Sequence, residues 1–169
     1  DYVDAHPNST KALLMAIMEA QIFCEQAENK EEIARICSNR RWINAPYEDI
    51  IDRMQGNFDY GTGRVVQDHP NQMRFWKDQA SYPFKSHDLW FLTENQRWGY
   101  LPSDLDTTSL IDKVNREDLW RDAAQALGVD ASDIPASTSR GIETFFDGKV
   151  FDPENPQAYL DSLSIKAGA

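Results

Sequence analysis

Stretches of helical apolar periodicity follow one another along nearly the whole chain, each cut by a Pro, a Gly or a capping residue. Period-two alternation is almost absent. That restricts the chain to a helix-dominated fold. Pro7 suits the first turn of a helix, and residues 11–27 contain neither Gly nor Pro. Leu13, Ile17, Ala20 and Cys24 stack at helical spacing, and Leu14, Met15, Met18 and Ile22 widen the stripe to most of the circumference. Such a helix is predicted to be central and buried. Residues 30–38 carry Ile33, Ile36 and Cys37 at i, i+3, i+4, and the short link predicts antiparallel packing on the first helix. Pro46 opens a third helix that Gly56 stops, and Pro70 a fourth holding Met73, Phe75, Trp76 and Ala80. Ser86 is expected to cap residues 87–98, closed by Gly99. Asp106 caps 107–114, Asn115 caps 116–127 before Gly128, and Asn155-Pro156 opens a last short helix. Asp147-Gly148, between 142–146 and 149–151, predicts one small β-hairpin. The sequence has no internal repeat and no Pro/Gly/Ser-rich linker, so it reads as one compact, mainly helical unit.

Charge narrows the partners. The 169 residues hold 17 Lys and Arg against 28 Asp and Glu, a net charge of −11, so no excess of cation is available to displace phosphate counterions. A nucleic acid and an anionic lipid surface are both disfavoured. The longest apolar stretch, 12–18, ends at Glu19, well short of the roughly 20 residues that span a bilayer. Two cysteines are too few for a disulfide scaffold. The chain opens Asp1-Tyr2-Val3 with no initiator Met, so a fragment of a longer protein or a processed chain is expected.

No constellation in the sequence amounts to an enzyme site. Ser86-His87-Asp88 has the residue types of a nucleophilic triad, but neighbours on a helix point about 100° apart and cannot converge. The glycine-rich run 56–64 lacks the Lys-Ser/Thr of a phosphate loop and reads as an irregular surface loop held down by Phe58 and Tyr60. His6, His69 and His87 are far apart, and Asp104 with Asp106, or Asp130 with Asp133, lack the other ligands of a calcium loop, so no metal site is expected. Asn8-Ser9-Thr10 fits the glycosylation pattern, which recurs by chance. Phe75-Trp76, Tyr82-Pro83-Phe84, Leu89-Trp90-Phe91-Leu92 and Trp98-Gly99-Tyr100 form an unusually aromatic tract. Recurring beside Leu and Met, it reads as core packing rather than ligand stacking, with Trp76, Leu89, Trp90 and Phe91 mostly buried.

This tract carries a resemblance. Phe75-Trp76-Lys77-Asp78, Tyr82 to Glu94 and Arg97-Trp98-Gly99-Tyr100-Leu101-Pro102 resemble the C-terminal region of the nitrate- and bicarbonate-binding proteins of cyanobacterial ABC importers. Further matching runs are Thr10-Lys11-Ala12-Leu13-Leu14, Val114 to Trp120 and Asp133 to Gly141, so the likeness covers about 2–166. It implies a mainly α fragment of an α/β, two-lobed periplasmic binding protein of type II. The sheets and most of the ligand cleft then lie in a missing N-terminal part. It implies a lipid-anchored receptor on the periplasmic side of the plasma membrane that captures nitrate or nitrite, or else bicarbonate, and delivers the anion to the permease subunits.

The alternative is a receptor-like regulatory domain fused to the ATPase subunit of the same importer. No cofactor is implied, calcium entering only if the full-length protein binds bicarbonate. The anion-contacting residues are expected upstream, so no ligand-binding, catalytic or metal residue is assigned in this chain. Isolated residues 1–169 are expected to bind none of the three anions. Lys85, Arg140 and the helix start at Ser86 are the first suspects should they bind one. Cys24 and Cys37 stand nearly symmetrically about Lys30-Glu31, which predicts contact. They form either a disulfide, worth roughly 3 kcal/mol by chain entropy, or two buried thiols.

Overall fold

Helix stops written into the sequence recur in the computed structural model, which describes residues 2–166. Helix α1 spans Tyr2–Ala5, and α2, with Pro7 in its first turn, spans Pro7–Glu25. A 3-10 turn, Ala27–Asn29, leads into α3, Lys30–Ser38. Helix α4 runs Tyr47–Met54 and is followed by Gly56 at φ 86°. Strands β1, Phe58–Asp59, and β2, Val65–Val66, pair antiparallel with Phe58 opposite Val66. Then come α5, Lys85–Arg97, α6, Thr107–Val114, and α7, Glu117–Leu127. Strands β3, Glu143–Thr144, and β4, Val150–Phe151, form the hairpin that Asp147-Gly148 predicts, and α8, Pro156–Asp161, follows. No helix among the described residues is long and apolar enough to cross a membrane.

The chain divides into two compact units, Asp1–Ser81 and Tyr82–Ala169. No linker composition marks the boundary, which lies inside the aromatic tract. In the first unit α3 packs on α4, and Met18, Ile33 and Ala34 are buried. The expectation of a buried α2 does not hold for this chain. Met18 is 1% exposed, but Leu13 is 61% exposed, the main helical contacts of α2 being with α1, the turn after it and α3. In the second unit Tyr82, Phe84, Ile111, Trp120, Ala123, Ala124, Phe151 and Tyr159 form the core.

Three local expectations need correction. The fourth helix is absent: between Pro70 and Ala80 the only helical piece is the 3-10 turn Lys77–Gln79. Asp78 and Gln79 sit at φ 57° and 61°, a left-handed conformation no α-helix tolerates. The glycine-rich loop is not irregular throughout, since its flanks pair as β1 and β2. Gly61 and Gly63 take positive φ at the turn, and Asp59 Oδ1 accepts from the Gly61 N–H at 2.8 Å. Ser86 does not cap α5. Phe84 occupies the cap position with no side-chain bond to offer, and Ser86 lies inside the helix.

The caps at α6 and α8 match their residues: Asp106 accepts from the Ser109 N–H and Asn155 from the Ala158 N–H. Asn115 does not cap α7, which starts one residue later than expected: Arg116 holds the cap position with no side-chain bond, and Asn115 Oδ1 just before it accepts the Glu117 N–H at 3.0 Å. Gly128 closes α7 in the left-handed conformation at φ 77°.

Candidate functional site

In the second unit several groups with reactive or ligand-facing residue types gather around the start of α5. Tyr82, 4% exposed, lies just before it and donates from Oη to Glu117 Oε2 at 2.6 Å. Its ring meets Phe84 and Trp120 edge-on at 4.8 and 5.0 Å, and the Arg121 guanidinium stands 4.9 Å from its centre. Burial, and then the hydrogen bond to Glu117, push the Tyr82 phenol up to about 12. Asn115 Nδ2 reaches back to the Pro83 carbonyl at 2.9 Å and to Asp88 Oδ2 at 2.7 Å. The start of α7 is thereby tied to the segment that launches α5. This part of the aromatic tract is scaffold.

Three groups that could meet an anion at the start of α5, Lys85, Ser86 and His87, are already engaged. Lys85 Nζ donates to Asp112 Oδ1 at 2.8 Å and lies 3.9 Å from Glu117. The Asp112 bond, against some desolvation, raises the Lys85 pKa and keeps it charged but neutralised in place. Ser86 is buried, and its Oγ accepts the Arg140 N–H at 3.0 Å. His87 Nε2 lies 2.6 Å from Glu143 Oε1, and Asp88 holds Asn115. Ser86, His87 and Asp88 therefore address three different partners, as their spacing on a helix requires. They make no triad. Among the described residues no three His, Cys, Asp or Glu side chains come together as a metal would need.

The aromatic tract is less uniformly buried than its composition implies. Trp76, Leu89 and Trp90 are half-buried, whereas Phe91 is 59% exposed. Phe91 leans its ring on Trp90, 4.9 Å between centroids, with its other side toward solvent. Trp90 also meets Phe145 at 5.4 Å, and Phe145 meets Tyr159 at 5.9 Å. Tyr159 donates to Glu94 Oε1 at 2.7 Å, and Arg97 pairs with the same carboxylate. Burial and the Glu94 bond raise the Tyr159 pKa.

In the first unit the structure builds a site that sequence reasoning missed. Glu25, the last residue of α2, accepts three successive backbone N–H groups with one oxygen: Phe75 and Trp76 at 2.8 Å, Lys77 at 3.3 Å. Burial acts to raise its pKa, but donation from Trp76, Phe75 and Lys77 and the charge of Lys30 outweigh it. The carboxyl is held below its ordinary value. This arrangement spends three N–H groups that the expected helix at 70–80 would have donated to carbonyls four residues earlier. Arg74 pairs with Asp78 beside it. A cavity of about 310 Å³ adjoins, lined in part by Cys24, Glu25, Lys30 and Lys77. Cys24 and Cys37 are half-buried free thiols. Burial raises the Cys24 pKa, and the proximity of Cys37 raises it further.

Comparison with known proteins places this geometry. A model of the NMT1-like family matches residues 1–38. The nitrate/nitrite binding protein NrtA of Synechocystis sp. PCC 6803 is 63% identical over 168 residues, 99% of this chain and 38% of that protein. Its periplasmic nitrate-binding crystal structure superposes on 98% of the chain, and 43% of its own, with a TM-score of 0.94. The bicarbonate-binding protein CmpA of Synechococcus elongatus is 45% identical over 98% of the chain and 39% of its own length. The nitrate import ATP-binding protein NrtC of the same organism is 29% identical, over 98% of the chain and 24% of its length. The chain thus spans about two fifths of the length of the binding proteins it matches. It resembles them across nearly all of its own residues, with the fold of one piece of a periplasmic binding protein.

Proposed function

We propose that this chain is part of the substrate-binding component of an ABC importer, a receptor that captures nitrate or nitrite and hands it to the permease subunits. The observation that carries the reading is the fold match to NrtA, TM-score 0.94 at 63% identity. Nitrate and nitrite are preferred over bicarbonate because identity to NrtA is 63% and to CmpA 45%. A free receptor is preferred over a domain fused to an ATPase subunit because identity to NrtC is only 29%.

In this reading the protein binds without chemistry and without a cofactor, calcium entering only if the anion is bicarbonate. It works in the periplasm, held to the membrane by a lipid. The anion sits elsewhere in the longer receptor. That placement is supported by Lys85, Ser86 and His87, which are committed to Asp112, Arg140 and Glu143 rather than to a shared point. It is supported too by Leu13 and Ile17, exposed on a helix apolar enough to be covered. A small oxyanion offers little surface, so affinity needs several donors converging in a closed cleft.

Calorimetry tests the reading. The full-length protein containing this segment is titrated with nitrate, nitrite and bicarbonate, the last with and without calcium. Saturable nitrate binding is expected, and none by residues 1–169 alone. Binding of bicarbonate but not nitrate by the full-length protein would overturn the choice of anion. Binding tighter than about 1 mM by the isolated chain would return the site to the start of α5.

A further inference from the structure

The hairpin β3–β4 and helix α5 enclose a cavity of about 230 Å³ that the scaffold role of the tract does not explain. Four aromatic rings wall it: Trp90, Phe91, Phe145 and Phe151. They are inclined rather than stacked, Trp90 standing at 66° to Phe91 and 39° to Phe145, so they leave a concave space between them. Glu143 is the one acidic lining group, and no Lys or Arg lines the cavity. His87 Nε2, 2.6 Å from Glu143 Oε1, holds that carboxylate at the rim, where both side chains remain partly open to solvent.

We propose that this cavity binds a small organic monocation of the alkylammonium or quaternary ammonium class. Aromatic faces carry partial negative charge and attract a cation most strongly where water is partly excluded. A carboxylate beside them adds a formal charge of the right sign. An oxyanion would meet the same carboxylate and the same rings with the wrong sign, which separates this cavity from nitrate capture. The surroundings agree: residues 82–169 hold 8 Lys and Arg against 15 Asp and Glu, a net charge of −7. The reading is independent of the anion and of the importer.

The probe is choline, set against its uncharged isostere 3,3-dimethyl-1-butanol, each titrated calorimetrically into the chain at matched sodium chloride. Choline is expected to saturate with a Kd of about 1 mM or tighter, at least about tenfold tighter than the isostere. In Glu143→Gln, a partly exposed position, the preference for choline over the isostere is expected to fall to about threefold or less. Absence of saturable choline binding overturns the proposal. So does equal binding of the isostere, which would mark a plain apolar pocket, and so does an undiminished preference in Glu143→Gln.

Discussion

Replacing Tyr82 by Phe removes one oxygen and leaves the ring, so it isolates the bond to Glu117. At pH 7 the phenol donates to a carboxylate at 2.6 Å from a position 4% exposed. Hydrogen bonds to charged groups contribute roughly 1.5–3 kcal/mol, and Glu117 keeps Lys85 nearby at 3.9 Å, which softens its loss. A destabilisation of about 2 kcal/mol is expected for Tyr82→Phe. Alkaline pH gives a second reading of the same contact. The phenol titrates near 10 when unfolded and at about 12 when folded. Between those values the unfolded chain has released the proton and the folded chain retains it, so stability falls as pH rises. The fall is about 1.4 kcal/mol per pH unit, approaching about 2.7 kcal/mol in all. Well below pH 10 the phenol is protonated in both states and the fall vanishes.

Tyr82→Phe lacks that component, so the gap between parent and variant should shrink from about pH 10 upward. Urea unfolding followed by tryptophan fluorescence, with Trp120 5.0 Å from the Tyr82 ring, measures both effects. Absorbance near 295 nm counts tyrosinates, and Tyr82→Phe should remove one late-ionising phenol from the count, Tyr159 being the other raised one. A variant within about 0.5 kcal/mol of the parent at pH 7, or two stability curves that run parallel to pH 11.5, would refute the reasoning.

Glu25→Ala should cost about 2 kcal/mol at neutral pH and expose the amides of residues 75–77 to hydrogen exchange. Because the folded carboxyl titrates below its ordinary value, its contribution is present above about pH 4.3 and lost as pH falls through the folded pKa. The variant and parent should then converge in acid, and a constant gap would count against the N–H cradle. Both cysteines should take up iodoacetamide in the native protein, Cys24 more slowly because burial raises its pKa. Mass spectrometry that finds alkylation only after reduction would mean the pair is bridged. Gly128→Ala should cost about 1 kcal/mol in a thermal melt, since the cap sits at φ 77° with open space around it. A loss under a few tenths would mean the cap is not strained by a side chain.

Local signals decided most of the helices. Pro7, Asp106, Asn155 and Gly128 act on backbone groups within four residues of themselves, so their effect is written in the residues next to them. Residues 30–38 and 107–114 were legible to the residue for the same reason, as was the Asp147-Gly148 hairpin. The divergence of Ser86, His87 and Asp88 follows from helix geometry alone. Their partners do not, since Arg140, Glu143 and Asn115 lie 54, 56 and 27 residues away in sequence.

The failures share one cause. The expected helix at 70–80 had acceptable propensity, but Glu25, some 50 residues earlier, took the N–H groups of residues 75–77. Asp78 and Gln79 were then left in the left-handed region. The apolar circumference of α2 was legible as a pattern, yet how much of it is buried depends on which elements pack there. Composition and periodicity establish a helix-rich acidic chain, and the likeness to a binding protein rests on the longer matching runs such as Tyr82 to Glu94. Only the tertiary structure decides which carboxylates meet which donors, because long-range electrostatic and hydrogen-bonding partners leave no periodic mark on the chain.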